Sequence, residues 1–472
     1  MKSGGDADIV ALYLPDVARA ERRIAERLEA LLRYPTRGAP RLPLAQAEQL
    51  VARVGSGALT AEQRSAALSV LTGARLTILT GGPGTGKTTT MRSLLAGLEA
   101  LHVSYALCAT TGRAAKQLAA STGRPAATVH RHLGLGIEQR EHEPVRETVL
   151  IIDESSMLDL WLFDQILARL AAETRLVLVG DVDQLPSVGP GAILQDLIAL
   201  GEGRGEGKPG LKVTRLTRIF RQEAGERSMI VVNCHRVRQG QRPEAAAPQG
   251  SDYYEMIRET PQEARELAVS LAATRLPRYL NVPPTEVQVL APMHSGEAGI
   301  RALNQALQAA LNPPAPGKVE IAWREHGEEQ GLMLREGDKV RQTRNDYKKQ
   351  VFNGDLGIVT RILPEEQALS VQYDDRLVGY TFDELDALTH SWAMTVHAAQ
   401  GSQWPAVVII MLKNHYVMLE RNILYTALSR AQRLAVLITQ EQAVRLAVAQ
   451  ARSTQRRTGL VARMEKGMGY GV

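Results

Sequence analysis

The run "ILTGGPGTGKTTT" puts Gly81, Gly86, Lys87 and Thr88 in the order G-x-x-x-x-G-K-[ST], directly after an apolar stretch of strand type and before a helical one. Glycines at this spacing let backbone N–H groups close around phosphate oxygens. Gly82, Pro83, Gly84, Thr85, Gly86, Lys87, Thr88 and Thr89 are therefore the expected nucleotide-binding loop. Lys87 is expected against the β- and γ-phosphates of ATP, and the Thr88 hydroxyl on a Mg²⁺ ion. Such a loop needs an acid on a neighbouring strand. "TVLIIDESSM" supplies Asp153 and Glu154 at the end of an apolar run, Asp153 to hold the water shell of Mg²⁺ and Glu154 to orient or deprotonate an attacking water. The pair points to hydrolysis, although a kinase on the same loop would differ only by a second substrate pocket with its own basic clamp. In "LVLVGDVDQLPSVGPG", Gln184 falls just past a strand end, where such sheets face their nucleotide.

Positioning these groups takes a layered α/β frame. From residue 60 onward the strand-type runs "RLTILT", "VSYALCA", "TVLIIDE" and "TRLVLVGD" alternate with longer helical stretches, the pattern of a parallel sheet with helices on both faces. A second set, "EVQVLAP", "AMTVHAAQGSQWPAVVIIML" and "AVLITQ", predicts a second α/β unit made from non-adjacent segments. Between them, "DKVRQTRNDYKKQVFNGDLGIVTRIL" and "ALSVQYDDRLVGYTF" alternate with period two around Asn-Gly and Asp-Asp turns, as in a small antiparallel barrel inserted in the second unit. Ahead of all this, Val17, Ala20, Ile24, Leu28, Leu31 and Leu32 recur at helical spacing, which predicts an amphipathic helix with a solvated, arginine-rich outer face. The charged, Gly-rich "GEGRGEGKPG" at 201–210 reads as a surface loop.

Composition narrows the class. The 472 residues fit about three domains, and 56 Lys+Arg against 51 Asp+Glu leave a net +5, which permits a polyanionic partner without demanding one. Cys108 and Cys234 form no C-x-x-C pattern, which argues against a disulfide framework or zinc knuckle and fits a reducing, cytoplasmic compartment. No apolar run approaches the ~18 residues that span a bilayer, and "MKSGGDADIV" lacks a signal-peptide core.

The ordered series "LTAEQ", "GGPGTGKT", "CATTGRAAKQL", "ATVHRHLG", "IIDESSM", "VGDVDQLPSVGPG", "LTRIFRQ", "VLAPM", "NDYKKQVFNGDLGIV", "TVHAAQGSQ" and "LYTALSRA" resembles the motif series of superfamily 1 DNA helicases of the RecD-like branch, nearest to the stand-alone RecD type. The resemblance covers residues from about 55 to 440. It implies two RecA-like P-loop domains with parallel sheets and ATP between them. The domains expected are a short helical N-terminal segment at 1–55, a first RecA-like domain at 56–240 with a duplex-splitting β-hairpin near 133–147, a second at 241–332 and 387–472, and the barrel at 333–386.

It further implies ATP-driven movement 5′→3′ on single-stranded DNA, duplex junctions as substrate, and room for protein partners in repair or recombination. A single-strand translocase that opens no duplex, and less readily a P-loop kinase or regulatory NTPase, are the alternatives. Gln63 matches the family's adenine-reading glutamine, and Arg221 and Arg430 match two arginines that approach the γ-phosphate, Arg430 as an arginine finger from the second domain. Gln184 matches the residue that couples the γ-phosphate to the DNA path. Thr111, Arg113, Thr128, His130, Arg131, Thr395, His397 and Ser402 match strand-contacting motifs, with Asn345, Tyr347 and Asn353 of the barrel as a further contact. With aromatics only 4% of the chain, a grip of hydroxyls, amides and a few cations is expected over a base-stacking platform. His130 and His132 have no carboxylate or cysteine at ligand spacing and are not expected to bind metal. The chain departs from the family at Ala398 and Gln403, where a basic residue and a glutamate are usual, at His294 and Ser295, where a cationic pair is common, and in its short N-terminal segment.

Overall fold

Along Val149–Asp153, Leu150 and Ile152 enter one hydrophobic core and Val149 and Ile151 another, and Leu176 and Leu178 divide from Val177 and Val179 in the same way. A strand apolar on both faces belongs inside a parallel sheet flanked by helices. The computed structural model, which describes residues 13–33, 41–55, 59–135, 143–203, 209–219, 228–244, 250–323, 332–374, 376–451 and 456–466, has that arrangement twice. The first sheet is parallel, in the order Ala127–Thr128, Tyr105–Ala109, Val149–Asp153, Arg175–Gly180, Leu76–Gly81, Leu211–Leu216. This order brings the ends of three strands, at Gly81, Gly180 and Asp153, to one edge of the sheet.

The second sheet, also parallel, runs Ala393–Thr395, Val287–Ala291, Trp404–Met411, Ala431–Thr439, Tyr253–Ile257. Its strands divide likewise, Val407 and Ile409 to one core and Val408 and Ile410 to the other. Inserted between its strands is a five-stranded antiparallel sheet, Leu377–Thr381, Ala368–Tyr373, Leu356–Leu363, Lys339–Gln342, Leu388–His390, with a bulge between Val359 and Arg361. It carries its own core of Val340, Val359, Val371, Tyr373, Tyr380 and Leu388. The fully buried Asp338 ties this sheet to the helix Ile300–Leu311 and the residue after it, accepting from Gln308 Nε2 at 2.6 Å and Asn312 Nδ2 at 2.8 Å, with His390 Nε2 3.1 Å away. Burial raises the Asp338 carboxyl, but the His390 and Asn312 contacts outweigh it and hold the group below its ordinary value.

Side chains pack across the expected segment boundaries in three places. The outer face of the helix Pro15–Arg33 is not simply solvated, because Arg23 and Arg27 both reach Asp164 on the helix Leu160–Arg169, Arg23 Nη2 at 2.6 Å from Oδ2. The helix Met229–Arg238, expected in the first unit, buries Met229, Ile230, Cys234 and Val237 with Tyr253 and Leu419 in the second unit's core. Residues 456–466, expected in the second unit, cross back to the first. There Leu460 and Met464 share a core with Ile24 and Leu28, Thr458 Oγ1 donates to Asp196 at 2.7 Å, and Arg456 Nη1 donates to the carbonyls of Gly189 and Gly191 at 2.7 and 2.9 Å. In each case the side chain follows apolar area or a buried acid that lies far away in sequence. Of the expected hairpin at 133–147, residues 136–142 lie outside the described residues. Among the described residues no helix is long and apolar enough to cross a membrane.

Candidate functional site

The strand Leu76–Gly81 ends in a loop that must turn back on itself to start the helix Lys87–Ala100. Gly84 and Gly86 supply the turn with φ of 76° and 86°, the left-handed region that glycine enters without cost. Inside the loop Thr85 Oγ1 donates to Gly82 O at 2.8 Å, and Lys87 Nζ donates to Gly81 O at 2.5 Å and Gly82 O at 3.1 Å. The loop forms one wall of a cavity of about 350 Å³, large enough for a nucleotide. All of residues 82–89 line it.

Asp153 and Glu154 line the same cavity, at the end of the neighbouring-but-one strand. Glu154 sits at φ 53°, a strained backbone for a residue with a side chain, and its N–H donates to Asp153 Oδ1 at 2.8 Å. Burial raises the Asp153 carboxyl, the Glu154 charge raises it further, and Lys87 opposes them. The Thr88 hydroxyl and Gln184 share this cavity.

The opposite wall comes from the second unit: Gly401, Gln403, Ser429, Arg430 and Ala431. Arg430 closes the helix Arg421–Ser429 and is only 1% exposed. Its guanidinium is held in place by the carbonyls of Thr426 and Ser402, each at 3.2 Å, and by Ser429 Oγ at 3.0 Å. It lies 3.9 Å from Glu154 Oε1. A charged group packed this tightly among carbonyls has its direction fixed, and that direction is across the cleft.

Gln63 falls differently. It is the N3 residue of a capping box on Ala61–Leu71, its Oε1 accepting from Thr60 N at 3.0 Å and its Nε2 donating to Thr85 O at 3.4 Å, and it does not line the cavity. Arg221 lies outside the described residues.

Sequence reasoning missed the residues that fasten the two walls together. Gln184 Nε2 donates to Asp181 Oδ2 at 3.4 Å, and the same oxygen accepts from the Tyr425 hydroxyl of the second unit at 2.8 Å. The next residue, Leu185, donates its N–H to Thr426 Oγ1 at 2.8 Å and accepts from Gln400 Nε2 at 2.7 Å. Tyr425 and Thr426 were readable only as part of an apolar helix. Gln403, the uncharged departure, accepts from Gln117 Nε2 of the first unit at 2.9 Å.

The expected strand contacts divide into two groups. Thr111, Thr128, His130, Asn345 and Asn353 line one groove of about 440 Å³ between the first unit and the antiparallel sheet. Thr111 and Thr128 also cap the helices Gly112–Thr122 and Val129–His132, accepting from the N–H groups of Ala114 and Arg131, and burial lowers the His130 imidazole, leaving it neutral near pH 7. Tyr347 packs edge-on to Phe352 at 6.0 Å beside this groove.

The other residues point elsewhere. Arg113 donates to Gln403 O at 2.9 Å and stacks 4.3 Å over the Trp404 ring, with burial lowering it to about 10, so it binds the second unit and does not line the groove. Arg131, Thr395, His397 and Ser402 do not line the groove either. Thr395 is buried and caps the following turn through Ala398 N at 3.1 Å, while Ser402 gives its carbonyl to Arg430. Asp355, whose Oδ2 accepts from Phe352 N at 2.9 Å, approaches the first unit closely on this side, and a Cβ on Gly112 would meet its Oδ1 at 2.4 Å.

Known proteins match on both sides of the cleft. A AAA domain model matches residues 58–260, the SH3 domain of ATP-dependent RecD-like DNA helicases matches 303–373, and a UvrD-like helicase C-terminal domain matches 390–438. The ATP-dependent RecD2 DNA helicase of Deinococcus radiodurans is 39% identical over 89% of this chain, which spans 54% of that relative's length. The RecBCD enzyme subunit RecD of Mycolicibacterium smegmatis is 31% identical over 85% of this chain and 75% of its own length. A solved structure of Pif1 helicases on forked double-stranded DNA aligns at 21% identity and TM-score 0.49, covering 81% of this chain and 92% of that one. With 31% identity across three quarters of a RecD subunit, the chain belongs to the RecD-like family of superfamily 1 helicases.

Proposed function

We propose that this chain is the motor of an ATP-dependent DNA helicase that moves 5′→3′ along single-stranded DNA and opens duplex at a junction. The observation that carries the reading is Arg430, which the second unit delivers to within 3.9 Å of Glu154 in the cleft that also holds Lys87. A kinase or regulatory module confined to one P-loop unit has no use for a cation supplied from across a cleft. In this reading the two parallel-sheet units are RecA-like domains, the first ending near residue 228 and the antiparallel sheet standing as the inserted barrel.

Lys87 and the loop at 82–89 hold the phosphates, Glu154 orients the attacking water, and Arg430 completes the charge clamp when the cleft closes. Hydrolysis removes the charge that holds the clamp together, so nucleotide state becomes domain spacing. Gln184 and Arg221 take the γ-phosphate-sensing roles. Gln63 takes the adenine edge on the family resemblance alone, since its side chain is buried and bonded to Thr60 N and Thr85 O. Thr88 and Asp153 would hold Mg²⁺. The fit is chemical: a carboxylate held above its ordinary value by burial, and further by the charge of Glu154, is the environment a dication reverses. Such an ion supplies charge neutralisation at the phosphates. Thr111, Thr128, His130, Asn345 and Asn353 take the strand, and the polarity rests on the family resemblance.

The test is strand displacement on duplexes with a 5′ tail, a 3′ tail or blunt ends, with ATP hydrolysis followed in parallel. Opening of the 5′-tailed duplex alone, with hydrolysis stimulated by single strands, is the expected result. Opening from the 3′ tail refutes the polarity, stimulated hydrolysis without opening reduces the chain to a translocase, and hydrolysis indifferent to single strands refutes the motor.

A further inference from the structure

The helix Leu160–Arg169 begins with an N-cap at Asp159, whose carboxylate accepts from Leu162 N at 2.8 Å, and this cap turns Trp161 out of the fold on the first helical turn. Trp161 is 38% exposed, whereas Trp392 and Trp404, the other tryptophans whose side chains are described, are 5% and 1% exposed. It opens into the groove that already holds Thr111, Thr128, His130, Asn345 and Asn353, on the wall formed with Met157 and Leu162. Leaving more than a third of a tryptophan in water forfeits part of one of the largest apolar gains a side chain can make, so its place inside a polar groove asks for a planar partner.

The groove's charge sharpens the point. Among the described residues no lysine or arginine lines it, its one acid is Asp159, and burial keeps His130 neutral near pH 7. Counterion release, the usual source of affinity for a phosphate backbone, has little to act on here. Hydroxyls and amides can position phosphates but add modest affinity. Phe352 also lines the groove but is 7% exposed, so the face of Trp161 is what remains to hold a nucleobase, and stacking suits a sequence-independent grip because every base has a π-face.

We propose that Trp161 is a base-stacking contact for the single strand, the aromatic element of a grip otherwise made of hydroxyls and amides. The proposal rests on the strand-binding reading above and departs from the expectation, drawn from the low aromatic content, of a grip without stacking.

The experiment is equilibrium binding of a fluorescent deoxythymidine oligonucleotide, and of the same oligonucleotide made abasic, to the full chain and to Trp161→Ala and Trp161→Phe variants. Alanine is expected to weaken binding of the normal strand about tenfold, within the range measured for single base–aromatic stacks, and phenylalanine to restore most of it. On the abasic strand the parent and the alanine variant should bind alike, because there is no base to lose. The difference between the two proteins should also persist at high salt. Equal binding of the normal strand by parent and alanine variant overturns the stacking role while leaving strand binding intact. An alanine variant equally weakened on the abasic strand assigns Trp161 to the shape of the groove and also overturns it. A parent that binds neither strand removes the strand-binding reading itself.

Discussion

Replacing Arg430 by alanine separates a charge that acts on the nucleotide from one that only packs. At 3.9 Å and an effective dielectric of about 20, a unit charge in the position of Glu154 Oε1 is attracted by about 4 kcal/mol before desolvation is counted. Negative charge developing on a transferred phosphoryl group at a similar distance feels the same field. At about 1.4 kcal/mol per decade this corresponds to roughly a thousandfold in turnover, the lower end of what a supplied arginine contributes in phosphoryl transfer. The same side chain donates to Thr426 O, Ser402 O and Ser429 Oγ. Its removal therefore also destabilises the fold, by about 2–4 kcal/mol after the relief of burying a charge is set against the lost bonds.

The two effects have different readouts. Single-strand-stimulated ATP hydrolysis, with nucleotide affinity measured separately, reports the first, and thermal unfolding reports the second. Arg430→Lys keeps the charge but loses the planar fork, and is expected to recover less turnover than stability. The finger reading predicts a fall in kcat of about three orders of magnitude with nucleotide binding nearly unchanged. If Arg430→Ala lowers the melting temperature yet hydrolyses within about tenfold of the parent, the field argument fails and Arg430 is a packing residue.

Lys87→Ala should abolish hydrolysis and leave oligonucleotide binding unchanged, since the groove lies apart from the loop; surviving turnover would remove residues 82–89 from the site. Gly112→Ala places a Cβ 2.4 Å from Asp355 Oδ1, and pushing the antiparallel sheet off the first unit should cost about 1–3 kcal/mol and weaken strand binding, which a melting curve and a binding isotherm would show. Burial lowers Lys339 to about 7 from its ordinary 10.5, where it donates to Thr285 O and Gln288 Oε1. Between those two values the unfolded chain binds more protons than the folded one, so Lys339 makes stability rise with pH across that window and contributes no further gain below it. Lys339→Met should flatten the rise in melting temperature from pH 7 to 9, and identical slopes for parent and variant would refute the assignment.

Much of the frame was legible because parallel strands buried on both faces leave unbroken apolar runs, and the phosphate loop was legible because its glycines are needed for left-handed backbone at Gly84 and Gly86. Other features depended on partners far away in sequence. "YYEMI" at 253–257 did not announce a strand, since Glu255 interrupts its apolar run, yet it pairs with Ala431–Thr439 at the sheet's edge. Arg113 had the look of a phosphate contact beside "TTG", but a guanidinium goes where a carbonyl and an aromatic face satisfy it together, and Gln403 O and Trp404 do so from the other unit. Nothing in the sequence sets Trp161 apart from the apolar residues around it. Only its place on the first turn, facing the antiparallel sheet's loop at Asn345 and Asn353, distinguishes it.

The residues that escaped sequence reading are also the ones that make a two-walled cleft mechanically useful. In the proposed reading Arg430 reports nucleotide state only if its own wall moves as a body with it, and the bonds to Thr426, Ser402 and Ser429 tie it to that wall. The opposite wall must meet it through contacts that can be remade. The loop after Gly180 does this with single polar bonds, Asp181 to Tyr425 and Leu185 to Thr426 and Gln400, each weak enough to be exchanged when the cleft changes width. Thr426 takes part in both sets, giving its carbonyl to Arg430 and its hydroxyl to Leu185. In the same proposed reading, a shift of the guanidinium toward a phosphate would pull through Thr426 on the loop that carries Gln184. Short polar side chains at an interface have no periodicity in sequence, which is why the coupling shows only when both walls are seen together.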